Sequence, residues 1–166
     1  QNITSLRLSA ADWVQWTCAI QKGGADLLPP LSLHLIAVDG DRVPAAVLAT
    51  WQSMVGDGVA WLHLYGSTET SGTVTVYAPA RELPPGTISV PIGKPLPGMK
   101  AEVIGPDGQP ALDGNEGELY ISSDYLARGQ VSPFATGERV RRLPAGNLEY
   151  IGRLDERVQL AGERVE

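Results

Sequence analysis

The ten-residue stretch HLYGSTETSG, near the middle of the chain, brings together side chains that can hold a charged ligand. Tyr65 offers an aromatic face on which a base can stack, and the hydroxyls of Ser67 and Thr68 can donate hydrogen bonds to phosphate oxygens. The carboxylate of Glu69 suits a hard cation such as Mg²⁺, and Gly66 permits a tight turn or the close approach of a ligand. A polar surface turn has the same composition, so the motif alone leaves both interpretations open.

Strands and helices alternate before this motif. An apolar alternation over residues 3–8 predicts a first strand, and Ser9 followed by Asp12 predicts a capped helix start. The nearly all-apolar run LHLIAV at 33–38 predicts a strand that is covered on both faces. A second helix is predicted to begin at Pro44, and AWLHL predicts a third strand. This order implies an α/β fold whose parallel sheet has crossover helices and binds ligands at the carboxyl ends of its strands, where the motif begins.

From about residue 79 the chain changes character. Pro and Gly become frequent, and the helical periodicity of apolar residues disappears. Short strands are predicted at KAEVI, GELYIS, RVRRL and NLEYIG, with turns rich in Pro and Gly between them. We therefore predict that a small antiparallel β-barrel or sandwich follows the parallel sheet.

Composition excludes several classes of function. The 166 residues are 43% apolar and 19% charged, which is typical of a soluble globular domain. A net charge of −6 disfavours a nucleic-acid partner, and the absence of a long apolar run disfavours a membrane partner. Cys18 is the only cysteine, so neither an internal disulfide nor a thiolate metal cage can form, and a cytoplasmic location is expected. Because the chain starts at Gln1 and stops at Glu166 without a turn or polar tail, we expect a piece of a longer protein.

Four further stretches stand in the order and approximate spacing of one family's motifs. They are VPIGKPLPG, GELYISSDYLARGQ, FATGERVRRLPAGNLEYIGR and GRLDERVQLAGERVE, which begin at residues 90, 117, 134 and 152. Together with HLYGSTETSG they make the chain similar to the adenylate-forming superfamily, and most closely to the adenylation domains of nonribosomal peptide synthetases. Those ligases act in secondary metabolite biosynthesis. They activate a carboxylic acid with ATP as an acyl adenylate and pass the acyl group to a thiol.

The resemblance implies a role for each matching residue. The implied nucleotide-binding positions are Tyr65, which resembles the ring that stacks on adenine, Gly66, Thr68, Glu138 and Arg153. Thr68 and Glu69 match the catalytic pair, in which the hydroxyl contacts the α-phosphate and the carboxylate binds Mg²⁺. Glu138 stands where the family has an aspartate that accepts both ribose hydroxyls, so its longer arm predicts either a shifted backbone or weaker nucleotide binding. Asp155 matches the hinge aspartate of the family.

The resemblance also implies an acyl pocket and a set of partners. The pocket positions are Arg7, Ala37, Asp39, Leu64, Gly72 and Thr73. A charged pair at Arg7 and Asp39 suits an acid with a polar or ionic side chain, although both residues are also typical of ordinary strand ends. The expected partners are the remainder of the adenylation domain, a small-molecule carboxylic acid, a carrier protein whose phosphopantetheine thiol accepts the acyl group, and a possible small accessory protein.

Missing motifs limit what these residues can do alone. The chain has no glycine-rich phosphate loop ending in Lys-Gly, and the catalytic lysine of the family's C-terminal subdomain falls beyond Glu166, so we expect the segment alone to be inactive.

The implied domains are an α/β lobe at 1–78, a distorted barrel at 79–154, and a hinge with the start of a C-terminal subdomain at 155–166.

Two other functions stay open. A stand-alone acyl-CoA or aryl-acid ligase is one, because Ser67 stands where peptide synthetases usually have proline. A catalytically silent pseudo-domain is the other. It is motivated by Glu138 and by the short segment between Gln130 and Phe134.

Overall fold

The computed structural model describes residues 3–79, 83 and 86–154, and the backbone alone of 158–160 and 163–165. The predicted hinge residue Asp155 lies outside the described residues. The chain packs as two units, one formed by Gln1–His63 with Ala78–Val90 and the other by Leu64–Tyr77 with Pro91–Glu166. The packing units therefore divide at other points than the predicted domains at 1–78, 79–154 and 155–166, which stay a prediction.

The first unit is built on parallel strands. Strand β1 (Ser5–Ser9) pairs in parallel with β2 (Leu35–Asp39), which pairs in parallel with the first half of β3 (Ala60–Ser67). Helix α1 (Ala10–Gln21) connects the first two strands, and α2 (Ala45–Val55) connects the second to the third. The predicted α/β arrangement of a parallel sheet with crossover helices is confirmed.

Both helices start close to the predicted positions. The Ser9 side chain accepts a hydrogen bond from the backbone N–H of Asp12 at 3.1 Å, which satisfies one of the free donors in the first turn of α1. Helix α2 starts at Ala45, with Pro44 as its N-terminal flanking residue. In the part of the chain that the structure describes, no helix is long and apolar enough to cross a membrane.

Strand β2 is fully buried on one face and half-buried on the other, which differs from the expectation that both faces are covered. Ile36 and Val38 are fully buried, whereas Leu35 and Ala37 are half-buried. The Trp51 ring of α2 lies 5.9 Å from the Trp13 ring of α1. Both crossovers therefore run over the same face, because right-handed connections between strands in sequential order place their helices together.

The second unit is mainly antiparallel. It contains the end of β3, the neighbouring β4 (Gly72–Tyr77), and β5 (Lys94–Pro95), which pairs antiparallel with β4. A four-stranded antiparallel sheet follows, in the order β6 (Lys100–Ile104), β7 (Glu116–Ser122), β8 (Phe134–Arg142) and β9 (Leu148–Arg153). Near the chain end, β10 (Val158–Leu160) pairs antiparallel with β11 (Glu163–Val165).

The four predicted strands of this half are confirmed as β6 to β9. In the described residues they form an open sheet with β6 and β9 as its edges, rather than a closed barrel, because no ladder joins those two edge strands. The core of the unit is apolar and fully or almost fully buried. It consists of Val74, Ile92, Val103, Leu119, Ile121, Val140 and Leu148.

Gly93 and Gly98 give a matched test of packing in the second unit. Their φ values are +85° and +83°, but a Cβ at Gly93 would lie 1.9 Å from the Val76 carbonyl oxygen, whereas nothing lies within 4 Å of one at Gly98. We expect Gly98→Ala to lower the free energy of unfolding by about 1–2 kcal/mol through backbone strain. Gly93→Ala should lower it by roughly 2 kcal/mol more, because the β4 backbone must move away. Urea denaturation of both variants measures the difference, and equal losses would contradict the close packing.

Candidate functional site

The predicted ligand-binding motif begins inside a strand. Strand β3 extends to Ser67, three residues beyond the predicted end at residue 64, so the loop itself consists only of residues 68–71. The strand continues because its backbone lies against that of β4. A Cβ at Gly66 would lie 1.9 Å from the carbonyl oxygen of Gly72. Gly66 is therefore required by the close approach of these two strands, and its role beside a ligand stays a prediction.

Thr70 shapes the loop. Its side chain is buried, and its hydroxyl accepts a hydrogen bond from the Ser67 N–H at 2.8 Å. The carbonyl oxygens of Ser67 and Gly72, at 3.0 and 2.9 Å, share the hydroxyl's single hydrogen. The residue thus ties the start of the loop to its end. Thr70 is absent from the predicted site residues, although its position inside HLYGSTETSG is a signal that points to it.

The two predicted catalytic residues occupy this loop. Thr68 is exposed, so its hydroxyl is open to a ligand. Glu69 is half-buried, and its Oε2 atom is shielded from solvent. The Glu69 carbonyl oxygen accepts a hydrogen bond from the Ala127 N–H at 2.9 Å, which fixes the loop against the segment after β7.

Tyr65, Glu138 and Arg153 form a polar cluster in the second unit. The Tyr65 hydroxyl donates a hydrogen bond to Glu138 Oε2, and Arg153 Nη1 lies 3.4 Å from Glu138 Oε1. Glu138 on β8 is the direct cross-strand partner of Arg153 on β9, and the two side chains are only 13% and 11% exposed. The Tyr65 ring also packs against the apolar core of the unit. The structure thus brings together three of the predicted nucleotide-binding residues.

The backbone that presents Glu138 is held by two further side chains. The Thr136 hydroxyl accepts from the Glu138 N–H at 3.1 Å and donates to the Leu119 carbonyl oxygen at 2.9 Å. The Gly137 N–H donates to Glu118 Oε1 at 3.1 Å. Glu118 and Thr136 have no place among the predicted site residues. The signal for Thr136 is its spacing of two from Glu138, which places both on one face of a strand.

The six predicted acyl-pocket residues divide equally between the two units. In the first unit, Arg7 is the cross-strand partner of Ala37, and its guanidinium forms an ion pair with Asp39. These residues lie on the half-exposed side of the sheet, with the Arg7 side chain 63% and the Asp39 side chain 25% exposed. A pair this exposed contributes at most about 1 kcal/mol to stability. In the second unit, Leu64 on β3 and Thr73 on β4 are half-buried, and Gly72 is exposed.

Glu69 is the candidate ligand for a metal ion. Among the residues that the structure describes, no three His, Cys, Asp or Glu side chains come together in a metal-binding group. A single carboxylate fits Mg²⁺, because this ion usually keeps several waters and takes its other oxygens from substrate phosphates. The donor set is therefore compatible with Mg²⁺ delivered together with a nucleotide.

Comparisons with known proteins place this geometry in context. A family model described as AMP-binding enzyme matches residues 9–130. Surfactin synthase subunit 1 of Bacillus subtilis (strain 168) is 33% identical over 154 residues, which is 81% of this chain and 4% of that protein.

Two solved structures share the fold. An artificially fused adenylation–PCP di-domain from Klebsiella oxytoca, NpsA-ThdA, has a TM-score of 0.81 at 21% identity, over 99% of this chain and 36% of its own. The Vibrio cholerae adenylation domain AlmE, in complex with glycyl-adenosine-5'-phosphate, has a TM-score of 0.75 at 26% identity, over 99% of this chain and 34% of its own. The chain thus spans far less than two thirds of the length of each of these proteins.

Removing the Thr70 hydroxyl should destabilise the loop. Thr70→Val keeps the shape of the side chain but leaves the Ser67 N–H and the Gly72 carbonyl without this partner, at an expected cost of about 1–3 kcal/mol in the free energy of unfolding. Thr70→Ser retains the hydroxyl and serves as the control, with a smaller loss. Chemical denaturation of both variants measures the costs. A Thr70→Val loss close to zero would contradict the role assigned to the hydroxyl.

The cluster also predicts a pH dependence of stability. Burial and then the negative charge of Glu138 raise the pKa of Tyr65 well above its ordinary value of 10.0. Above about pH 10 the unfolded phenol loses its proton while the folded one keeps it, so the free energy of unfolding falls by about 1.4 kcal/mol per pH unit. This stability is fully present below pH 10. Denaturation from about pH 9 to about pH 11 should show a steeper decline for the unmodified chain than for Tyr65→Phe. An equal decline in the free energy of unfolding for both proteins would contradict the raised pKa of Tyr65.

Proposed function

Since the chain belongs to the AMP-binding enzyme family, we propose that it forms part of an adenylation domain that activates an amino acid or a related carboxylic acid with ATP. The product is an acyl adenylate, and pyrophosphate leaves. The proposal is carried by one juxtaposition within the second unit, where Tyr65, Glu138 and Arg153 form one cluster and Tyr65 lies on the strand that leads into the Thr68–Glu69 loop.

Each residue of this arrangement has a chemical role in the proposal. The Tyr65 ring stacks on adenine, and the exposed Thr68 hydroxyl donates to an α-phosphate oxygen. The Glu69 carboxylate would hold Mg²⁺, which would supply positive charge to the phosphate oxygens of the nucleotide. A donor fixed where negative charge develops lowers the barrier more than it stabilises the bound substrate. The bonds of Thr70 support this role, because they fix the loop before any ligand arrives.

The acyl pocket is proposed to include Arg7, Ala37 and Asp39 on the half-exposed side of the parallel strands. The ion pair between Arg7 and Asp39 supports an acid with a polar or ionic side chain, because each charged group can exchange its partner for a charge or dipole of the substrate. Leu64, Gly72 and Thr73, which lie in the second unit, are proposed as acyl-binding positions on their match to the family pattern alone.

The second half of the proposed reaction transfers the acyl group to the phosphopantetheine thiol of a carrier protein. Support comes from the similar Klebsiella oxytoca protein, which contains an adenylation domain and a PCP domain. We propose Asp155 as the hinge for this step. The rest of the adenylation domain supplies the phosphate loop and the catalytic lysine, so residues 1–166 alone are proposed to be inactive.

A catalytically silent pseudo-domain is the second candidate, favoured by the bonds that Glu138 makes to Tyr65 and Arg153. ATP–pyrophosphate exchange by the full-length protein that contains the chain, measured against a panel of carboxylic acids, separates the two candidates. Exchange with at least one acid supports the ligase. A folded protein that shows no exchange and no ATP binding supports the silent domain.

Replacing Glu69 tests the proposed metal role. Glu69→Gln removes the negative charge with little change in shape, and we expect the exchange rate to fall by about 100-fold or more. Glu102→Gln is the control, because Glu102 is exposed on β6, and its exchange rate should stay at that of the unmodified protein. The fall in exchange rate caused by Glu69→Gln should also become smaller as the Mg²⁺ concentration is raised. An unchanged rate in Glu69→Gln would remove Glu69 from the mechanism.

A further inference from the structure

The Glu138 carboxylate already has partners on both of its oxygens. Oε2 accepts from the Tyr65 hydroxyl, and Oε1 faces Arg153 Nη1 at 3.4 Å. The bond from Tyr65 is charge-assisted and lies in a partly buried cluster, where such bonds are stronger than neutral ones. A ribose hydroxyl that approaches Oε2 must compete with the Tyr65 hydroxyl for the lone pairs of that oxygen, in a cluster where the Glu138 side chain is only 13% exposed.

The length of the glutamate arm makes this contact possible. The main chain of Glu138 is fixed in the β8–β9 ladder and by the Thr136 hydroxyl. An aspartate on the same main chain would place its carboxylate one carbon–carbon bond, about 1.5 Å, closer to the strand. The distance to the Tyr65 hydroxyl would then exceed that of a hydrogen bond. The contact therefore depends on glutamate at this position.

We propose that Tyr65, Glu138 and Arg153 form an internal latch, in which the Tyr65 hydroxyl competes with the ribose hydroxyls of a bound nucleotide for the Glu138 carboxylate. This inference rests on the proposed function, because it concerns the same nucleotide site. The latch stabilises the nucleotide-free state and must open when a nucleotide binds. The chain consequently binds adenine nucleotides more weakly than a version without the Tyr65 hydroxyl.

Nucleotide affinity of the full-length protein tests the latch. Tyr65→Phe keeps the ring for stacking and removes only the hydroxyl, and we expect it to bind ATP about tenfold more tightly than the unmodified protein. Glu138→Asp breaks the same contact from the other side and should also bind ATP more tightly. Tyr77→Phe is the matched control, because Tyr77 is a half-buried tyrosine of β4, and its affinity should equal that of the unmodified protein. Isothermal titration calorimetry gives all four dissociation constants.

A second nucleotide separates the latch from a general loosening of the site. 2′,3′-Dideoxy-ATP has no ribose hydroxyl to offer Glu138, so the gain from Tyr65→Phe should disappear with this probe. An equal gain with both nucleotides, or a comparable gain in Tyr77→Phe, would overturn the latch.

The remaining outcomes distinguish the two proposals. If the unmodified protein binds ATP and neither Tyr65→Phe nor Glu138→Asp binds it more tightly, the latch is wrong and the proposed function stands. If the unmodified protein and both variants fail to bind ATP, the nucleotide site itself is wrong, and the latch falls with it.

Discussion

The close approach of two backbones at Gly66 and Gly72 is the constraint on which the candidate site depends. With no room for a Cβ at Gly66, strands β3 and β4 come together tightly enough that four residues suffice to connect them. A connection this short joins antiparallel neighbours and has few conformations available. The Thr70 hydroxyl then selects one of them by bonding the residues before and after the loop. The positions of Thr68 and Glu69 follow from this geometry and not from their own contacts alone.

Electrostatics imposes a second constraint, at Glu138. A carboxylate that is 13% exposed loses much of its hydration and needs donors in its place. Arg153 meets this need from the neighbouring strand, because the β8–β9 register sets the two residues directly opposite each other. The Tyr65 hydroxyl on β3 supplies a second donor to the same carboxylate. The same residues that resemble a nucleotide-binding set thus satisfy one another's hydrogen-bonding groups.

Local features of the fold are predictable from the sequence because each depends on neighbouring residues. The start of α1 follows from Ser9 and Asp12, and β6 coincides with the run KAEVI. The burial of β2 is not predictable in this way. Its apolar run fits a strand covered on both faces, but the placement of both helices on one side decides which residues stay half-exposed. That placement depends on the handedness of two crossovers rather than on any residue of β2.

The site shows the same division. The motif HLYGSTETSG identifies Tyr65, Thr68 and Glu69 as candidates, but Gly66 within it suggests a turn, so the extension of β3 to Ser67 is missed. The contact between Tyr65 and Glu138 joins residues 73 positions apart. No local pattern encodes a contact of that range. The match between Glu138 and a family aspartate predicts the position of a carboxylate. It does not predict which hydrogen-bond donor of the chain contacts that carboxylate.

The proposed latch, in which the Glu138 carboxylate has bonded partners before a ligand arrives, has a specific consequence for selectivity. A ligand gains only the difference between the contacts it makes and those it displaces, so a weak hydrogen-bond donor gains nothing by replacing the Tyr65 hydroxyl. A vicinal diol offers two hydrogen-bond donors, whereas Tyr65 offers one, so a diol can compete with the Tyr65 hydroxyl for the Glu138 carboxylate. A latch at Glu138 would therefore favour a ligand with paired hydroxyls at the expense of overall affinity, because such a ligand would have to compete with the bond to Tyr65.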